Sequence, residues 1–315
     1  MKTLRTTYVV VGGIFIASFI YAVFILNLDQ FFKMNTSGER TPAALASLTF
    51  PFTSSTTAIA AATTASVSGK KSLFYSFNVP GVLEETSTAA ASPSPYWFLD
   101  SGARLLISGG TGQTIQGNLA ASDPWYREYA HANSVDSDDG SHPQNIFRLL
   151  TKSLWTNARE ETWFMITGDH LSASPNRTLS NGLLLMSRYQ DQDTLYYAGI
   201  RVDGSAVIKK KYRGTYYTLA QTPFLAGTYH PISNPTLLPH GVWIALRADT
   251  STNSNGSVLI TLYWKQNQTS PWTRLVSATD TGAYGNTPPI TTAGVTGIRT
   301  DFMDVVFRDF LVQEL

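Results

Sequence analysis

The sequence predicts an all-β antiparallel two-sheet sandwich, preceded by one membrane-spanning helix and a flexible stalk. Three observations lead there. An uncharged apolar run lies near the N-terminus, and a Ser/Thr/Ala-rich stretch follows it. Beyond residue 70, short aromatic and β-branched runs alternate with Gly, Pro, Asn, Asp and Ser. The expected divisions are 1–7 cytoplasmic, 8–28 membrane-spanning, 29–70 linker and 71–315 sandwich domain.

Tyr8 to Leu28 is 21 residues without a charge. At 1.5 Å per residue it matches a hydrocarbon core of about 30 Å. Lys2 and Arg5 precede it and Asp29 follows, so the N-terminus is expected inside and the C-terminal domain in the extracellular or periplasmic space. The alternative, a cleaved signal peptide, needs a shorter apolar core and a small-x-small site, which residues 27–32 lack. From Thr36 to Gly69, fourteen of 34 residues are Ser or Thr. Such a stretch buries too little apolar surface to offset its chain entropy, so it is expected to be a tether.

The expected strands of the first half are Leu73–Val79, Tyr96–Leu99, Arg104–Ser108, Asn145–Trp155, Glu161–Thr167 and Gly182–Gln190. Leu195–Val202, Ser205–Tyr212, Gly214–Ala220, Gly241–Asp249, Ser257–Gln266, Thr273–Ala278, Gly294–Asp301 and Met303–Glu314 follow. Asp203-Gly204 between two of them is a strong hairpin signal, and Asn255-Gly256 precedes another strand. No segment beyond residue 30 holds a helical period over three turns. In the last strand Val305, Phe307, Asp309 and Leu311 alternate with Val306, Arg308, Phe310 and Val312, which would tie the C-terminus into a sheet.

Composition excludes several chemistries. Without cysteine there is no disulfide scaffold, thiol nucleophile or cysteine-ligated metal. Lys+Arg 23 against Asp+Glu 22 gives a net charge of +1, which argues against a nucleic-acid partner. Residues 108–112 lack the lysine of a phosphate-binding loop, and no Gly-x-Ser-x-Gly elbow occurs.

Three stretches resemble the concanavalin A-like lectin/glucanase superfamily, with its laminin-G-like modules and polysaccharide-lyase-like jelly rolls. They are GLLLMSRYQD at Gly182–Asp191, YYAGIRVDGSAVIKKK at Tyr196–Lys211 and VVFRDFLV at Val305–Val312. The resemblance covers roughly the last 170 residues. It implies two antiparallel sheets in a jelly roll, one curved, with a groove on its concave face. It fixes no activity, since one scaffold carries many functions.

Candidate ligand-binding residues are cationic or aromatic. Alternation puts Lys209 and Lys211 on one strand face and Lys210 on the other. The plain alternative is an edge hairpin whose lysines block edge-to-edge pairing. Arg148 and Lys152 are expected to share a face, as are Arg201 and Tyr197, and Arg188 lies on an apolar strand. Arginine matches a uronate carboxylate with two parallel hydrogen bonds. Of seven tryptophans, Trp125 and Trp272 sit in loop-like contexts and suit stacking on sugar rings.

Catalytic candidates are sparse. Glu160 and Glu161 are adjacent, so a strand sends them to opposite faces, and the E-x-D-x-x-E strand of the related glucanases is absent. A lyase acting on uronate chains therefore ranks above a hydrolase, with His170, Tyr212 and Tyr216 as its candidate acid and base. Asp136, Asp138 and Asp139 are an acidic loop that calcium could use. No cofactor is required, and structural calcium is the one ion the resemblance implies. Sequons fall at Asn35, Asn176, Asn255 and Asn267, the last three near expected loops. The leading expectation is a membrane-anchored glycan-binding or adhesion module, with an acidic glycan as the candidate ligand. The alternatives are a polysaccharide lyase and a structural envelope module with a protein partner.

Overall fold

The computed structural model of the protein describes residues 62–67 and 69–315. The expected membrane segment 8–28 and linker residues 29–61 lie outside the described residues. Among the described residues no helix is long and apolar enough to cross a membrane.

The first strands are β1 (Ala62–Val67), β2 (Lys70–Tyr75), β3 (Gly81–Glu84), β4 (Trp97–Ser101), β5 (Arg104–Ser108) and β6 (Thr111–Gln113). Helix α1 (Pro124–Ala132) comes next, then β7 (Ile146–Thr151), β8 (Ala158–Asp169), β9 (Gly182–Asp191), β10 (Thr194–Arg201), β11 (Ser205–Tyr212) and β12 (Thr215–Pro223). β13 (Ile244–Thr252), β14 (Val258–Lys265), β15 (Thr273–Asp280), β16 (Val295–Asp301) and β17 (Met303–Glu314) complete the order. They form two antiparallel sheets. The smaller runs β12-β11-β10-β9-β16-β7-β4. The larger runs β15-β14-β13-β8-β17-β6-β5-β3, with β2 joining β17 and β1 joining β2. This is the expected two-sheet sandwich.

Four elements were not expected. β1 pairs with β2 from Ala62↔Tyr75 to Val67↔Lys70, so the last part of the presumed stalk is strand and the domain begins before residue 71. β3 and β6 are too short to show a period in sequence. Helix α1 is nine residues, below three turns, and starts where Asp123 accepts a hydrogen bond from the Trp125 N–H at 2.9 Å. Trp125 thus sits on a helix, not in a loop.

The interior follows the pleat. Leu183, Leu185, Tyr196, Ala198, Ile200, Ala206 and Ile208 face the larger sheet, which answers with Phe164, Ile166, Leu246, Ile260, Leu262 and Val305. Rings of Tyr75, Phe77, Trp97, Phe307 and Phe310 pack edge-on or stacked at one end, with centroids 4.8–6.0 Å apart. In β17 the single alternation read from sequence does not hold. The register shifts between Arg308 and Leu311, and Asp309 takes a positive φ of 53°. The buried set therefore changes parity, from Val305 and Phe307 to Phe310 and Val312.

Among the buried charged groups, an ion pair and a lone carboxyl stand out. Lys210 donates to Asp280 at 2.7 Å, and both side chains are fully buried. The Tyr196 hydroxyl donates to the same carboxylate, and Lys210 also reaches the carbonyls of Thr287 and Pro288. Breaking such a pair by removing one partner costs about 3–5 kcal/mol. Lys210 thus sits on an interior strand between β10 and β12, not on an edge hairpin. Glu160 is the lone carboxyl. It has no ion-pair partner among the described residues and takes a hydrogen bond from the Thr296 hydroxyl across the sandwich.

Burial pushes the Glu160 carboxyl well above its ordinary value, against the hydrogen bonds from Thr296 and Gly297. The folded state therefore holds a proton that the unfolded state has lost, and stability contributed by this group declines as pH rises from its unfolded value towards its folded one. Thermal unfolding followed across that window is expected to show Glu160→Gln gaining on the parent protein as pH rises. Parallel curves for the two proteins would contradict the buried, protonated carboxyl.

Candidate functional site

The outward face of the seven-stranded sheet carries an open cavity of about 420 Å³. Its floor comes from alternate residues of consecutive strands, as the pleat requires. β7 supplies Arg148, β16 Arg299 and Asp301, β9 Leu184, β10 Tyr197, β11 Val207, Lys209 and Lys211, and β12 Tyr216. A wall of Asn176, Thr178, Ser180 and Asn181 rises from the connection between β8 and β9. Bare backbone in β10 is enforced at Gly199, where a Cβ would lie 2.1 Å from the Leu183 carbonyl oxygen.

Two tyrosines and an arginine form a directed chain. Arg299 donates to the Tyr197 hydroxyl at 3.3 Å, and Tyr197 donates to Tyr216 at 3.2 Å. The two rings stack 5.9 Å apart at 18°, and Tyr216 is half exposed. Lys211 lies 4.9 Å and Lys209 5.9 Å from the Tyr216 ring centre. Burial pushes Tyr197 up, whereas for Tyr216 the Arg299 charge, the bond from Tyr197 and Lys211 outweigh burial and bring the phenol below its ordinary value. Burial, then the Arg201 charge, lowers Lys209.

Most cations here have a carboxylate already. Arg148 meets Asp100 at 2.6 Å, Arg299 meets Asp301 at 2.8 Å and Lys211 meets Asp193 at 2.9 Å. Among the described residues Lys209 is the lining cation without one, touching only the Ser180 hydroxyl at 3.5 Å and the Tyr216 ring.

Of the sequence candidates, Arg148, Tyr197, Lys209, Lys211 and Tyr216 meet in this groove. The others are elsewhere. Arg188 is 1% exposed and points inward, donating to the carbonyls of Thr156 and Ile290 and to Thr252. Its positive φ of 49°, with register shifts beside it, marks a bulge that turns Arg188 in and Tyr189 out, against simple alternation. Arg201 is 4% exposed, fixed by Leu179, Gln221 and Asp203. Lys152 lies past the end of β7, and its amine holds the carbonyls of Ser92 and Ser94. Trp272 is on the outer face of the larger sheet, beneath Lys265 and Arg247. Trp125 lines a different cavity, beside α1. Arg299 and Asp301 were missed; Arg299 stands in β16 opposite Arg148, a pairing that single-strand patterning does not reveal.

The three catalytic candidates do not come together. Tyr216 faces the groove, Tyr212 packs toward the interior beside Lys210, and His170 is buried between Asn145 and Asp304. The acidic loop does not converge on one point either. Asp138 accepts from Asn145, Ser172 and His142, Asp136 accepts from Ser174 and Asn176, and Asp139 is exposed. With those oxygens engaged by donors, the three aspartates do not fit a calcium ion, and among the described residues no cluster of three His, Cys, Asp or Glu could hold a metal. Asn255 and Asn267 lie in exposed turns, whereas Asn176 lines the groove and donates to Asp136. Asn35 falls outside the described residues.

No family model matches the sequence, and no curated protein matches it. Solved structures similar to it include the carbohydrate-binding module CBM66 from Bacillus subtilis. That likeness has 11% identity over 68% of this chain and 92% of that one, with a TM-score of 0.42. A B. subtilis protein of unknown function with a galectin-like fold has 12% identity over 69% and 89%, at 0.38. The exoplasmic/lumenal domain of VIP36 in its Ca²⁺-bound form has 8% identity over 74% and 90%, at 0.42.

An alkaline ultraviolet titration tests the tyrosine pair. Tyr216→Phe is expected to remove a phenol that ionises below the ordinary tyrosine range. An unchanged onset would contradict the lowered Tyr216.

Proposed function

We propose that the chain is a glycan-binding module that grips an acidic sugar chain in the groove. The observation that carries this is the floor itself. A half-exposed tyrosine face stands among two lysines and two arginines, with an amide- and hydroxyl-bearing wall alongside. An aromatic face suits the apolar C–H face of a pyranose, the wall suits its hydroxyls, and the cations suit a carboxylate or sulfate. Lys209, the cation without a carboxylate among the described residues, is the group with most to gain from a ligand anion.

The membrane anchor belongs to the same proposal. The uncharged run 8–28 with Lys2 and Arg5 before it supports an N-terminus inside and a sandwich domain outside the cytoplasm. Residues 29–61 then give the domain reach. Asn255 and Asn267, in exposed turns, suit glycosylation in a host that modifies exported proteins.

One observation favours a second reading, a lyase on uronate chains. The Tyr216 phenol is easier to ionise than usual and stands beside Arg299, which could neutralise a uronate while the phenolate takes the C5 proton, the C4–O bond breaks and the same phenol returns that proton to the departing oxygen. His170 takes no part, since it does not line the groove.

The full chain in detergent, applied to an array of neutral and uronate or sulfated glycans, is expected to bind the acidic members. Lys209→Ala and Tyr216→Ala should each weaken that binding about ten-fold, the order of one charge-assisted contact for the lysine and one ring-stacking contact for the tyrosine. Binding confined to neutral glycans, or unmoved by both changes, would reject the groove. Ultraviolet-absorbing product that disappears in Tyr216→Phe would shift the assignment to the lyase.

A further inference from the structure

A second cavity, of about 570 Å³, opens where α1 packs beside β4 and β7. It shares one lining residue with the groove, Arg148, so the two hollows adjoin at β7. Their chemistry is opposite. The second is lined by Glu85, Asp100 and Glu128, and its one lining cation, Arg148, is already paired with Asp100.

The walls are aromatic. Trp125 and Tyr129, one turn apart on α1, set their rings 6.1 Å apart at 60°. Both are held in place. The Trp125 indole N–H donates to Glu84 at 2.5 Å, and the Tyr129 hydroxyl donates to Glu85 at 2.5 Å while accepting from the Gly102 N–H. Glu85 also accepts from the Ala103 N–H at 2.8 Å, so its carboxylate is fixed at the cavity wall. Among the described residues Glu85 has no ion-pair partner, and burial raises its carboxyl above the ordinary value. Fixed aromatic faces with carboxylates lacking a counter-charge form a receptor for an ammonium group.

We propose that this cavity is a second subsite that takes a cationic amino-sugar unit of the same chain whose acidic units lie in the groove. The inference rests on the glycan-binding reading and narrows it. The ligand carries anionic groups and a free amine on neighbouring or near-neighbouring units, and Arg148–Asp100 marks the boundary between the two subsites. The volume admits a sugar ring with its substituents. A pyranose ammonium there would stand against Trp125 and Tyr129 and supply the positive charge that Glu85 and Glu128 lack.

Calorimetry on the full chain in detergent tests this with three probes: a glucosamine tetramer, its fully N-acetylated counterpart and a galacturonate tetramer. The glucosamine tetramer is expected to bind at least ten-fold tighter than the acetylated one. Trp125→Ala should weaken it about ten-fold and Glu128→Gln about three-fold, with galacturonate binding unchanged in both. Glu128 is exposed, so its variant reads the subsite independently of folding. Equal binding of the two amino-sugar probes, or indifference to both substitutions, overturns the cationic subsite. Galacturonate binding without glucosamine binding overturns it too, yet leaves the groove reading standing. The converse result supports the subsite and removes only the acidic-chain reading.

Discussion

The buried pair of Lys210 and Asp280 is the constraint on which the groove depends. In β11 three lysines run in succession, and the pleat allows only the outer two on the same side. A shift of one residue would send Lys209 and Lys211 inward and Lys210 outward. Asp280, with the Tyr196 hydroxyl and two carbonyls, provides a place inside the sandwich where a lysine amine is satisfied once. Two amines would find no such place. The register that gives the groove its cations is therefore also the register that avoids unpaired charge in the core.

The same reasoning explains what could and could not be read from the chain. Strand limits were legible from composition and turn residues. β5, β11 and β17 have the ends expected of them, and the Asp203-Gly204 turn joins β10 to β11 with Gly204 at a φ of 78°. Faces were lost where a bulge inserts a residue, at Arg188 in β9 and Asp309 in β17. Each carries a positive φ on a side-chain-bearing residue, which sequence composition does not mark. Arg188, expected as a ligand-binding cation on an apolar strand, is instead turned inward by that interruption. Arg299 was missed for a different reason: its importance comes from strand neighbours 151 residues away in sequence, and only sheet order discloses it.

The histidines and the acidic loop act behind the groove. Rings of His142 and His170 lie 4.2 Å apart, with Asp138 on the first and Asp304 on the second. Burial, then the His170 charge, lowers His142, while the bond from His170 helps bring Asp304 below its ordinary value. Asp138 and Asp136 hold the hydroxyls of Ser172 and Ser174 and the amide of Asn176. That chain of bonds fixes the start of the segment whose later residues, Asn176 to Asn181, form the groove wall. Asp136 and Asp138 thus position the groove wall in the fold. A loop rich in Ser and Asn has little apolar surface with which to anchor itself, so carboxylates do it instead.

Pairing of the groove cations has a consequence for recognition. Arg148, Arg299 and Lys211 each hold a carboxylate, so an incoming anion must displace or share that partner, whereas Lys209 is met without such competition. Preformed pairs keep arginine and lysine side chains ordered before a ligand arrives, which reduces the entropy lost on binding. They also cap the attraction at modest values, because each new contact replaces an existing one. If the proposed glycan binds here, such a surface would gain affinity chiefly by engaging many of its units at once, and two adjoining subsites of opposite charge would add selectivity for the order of those units.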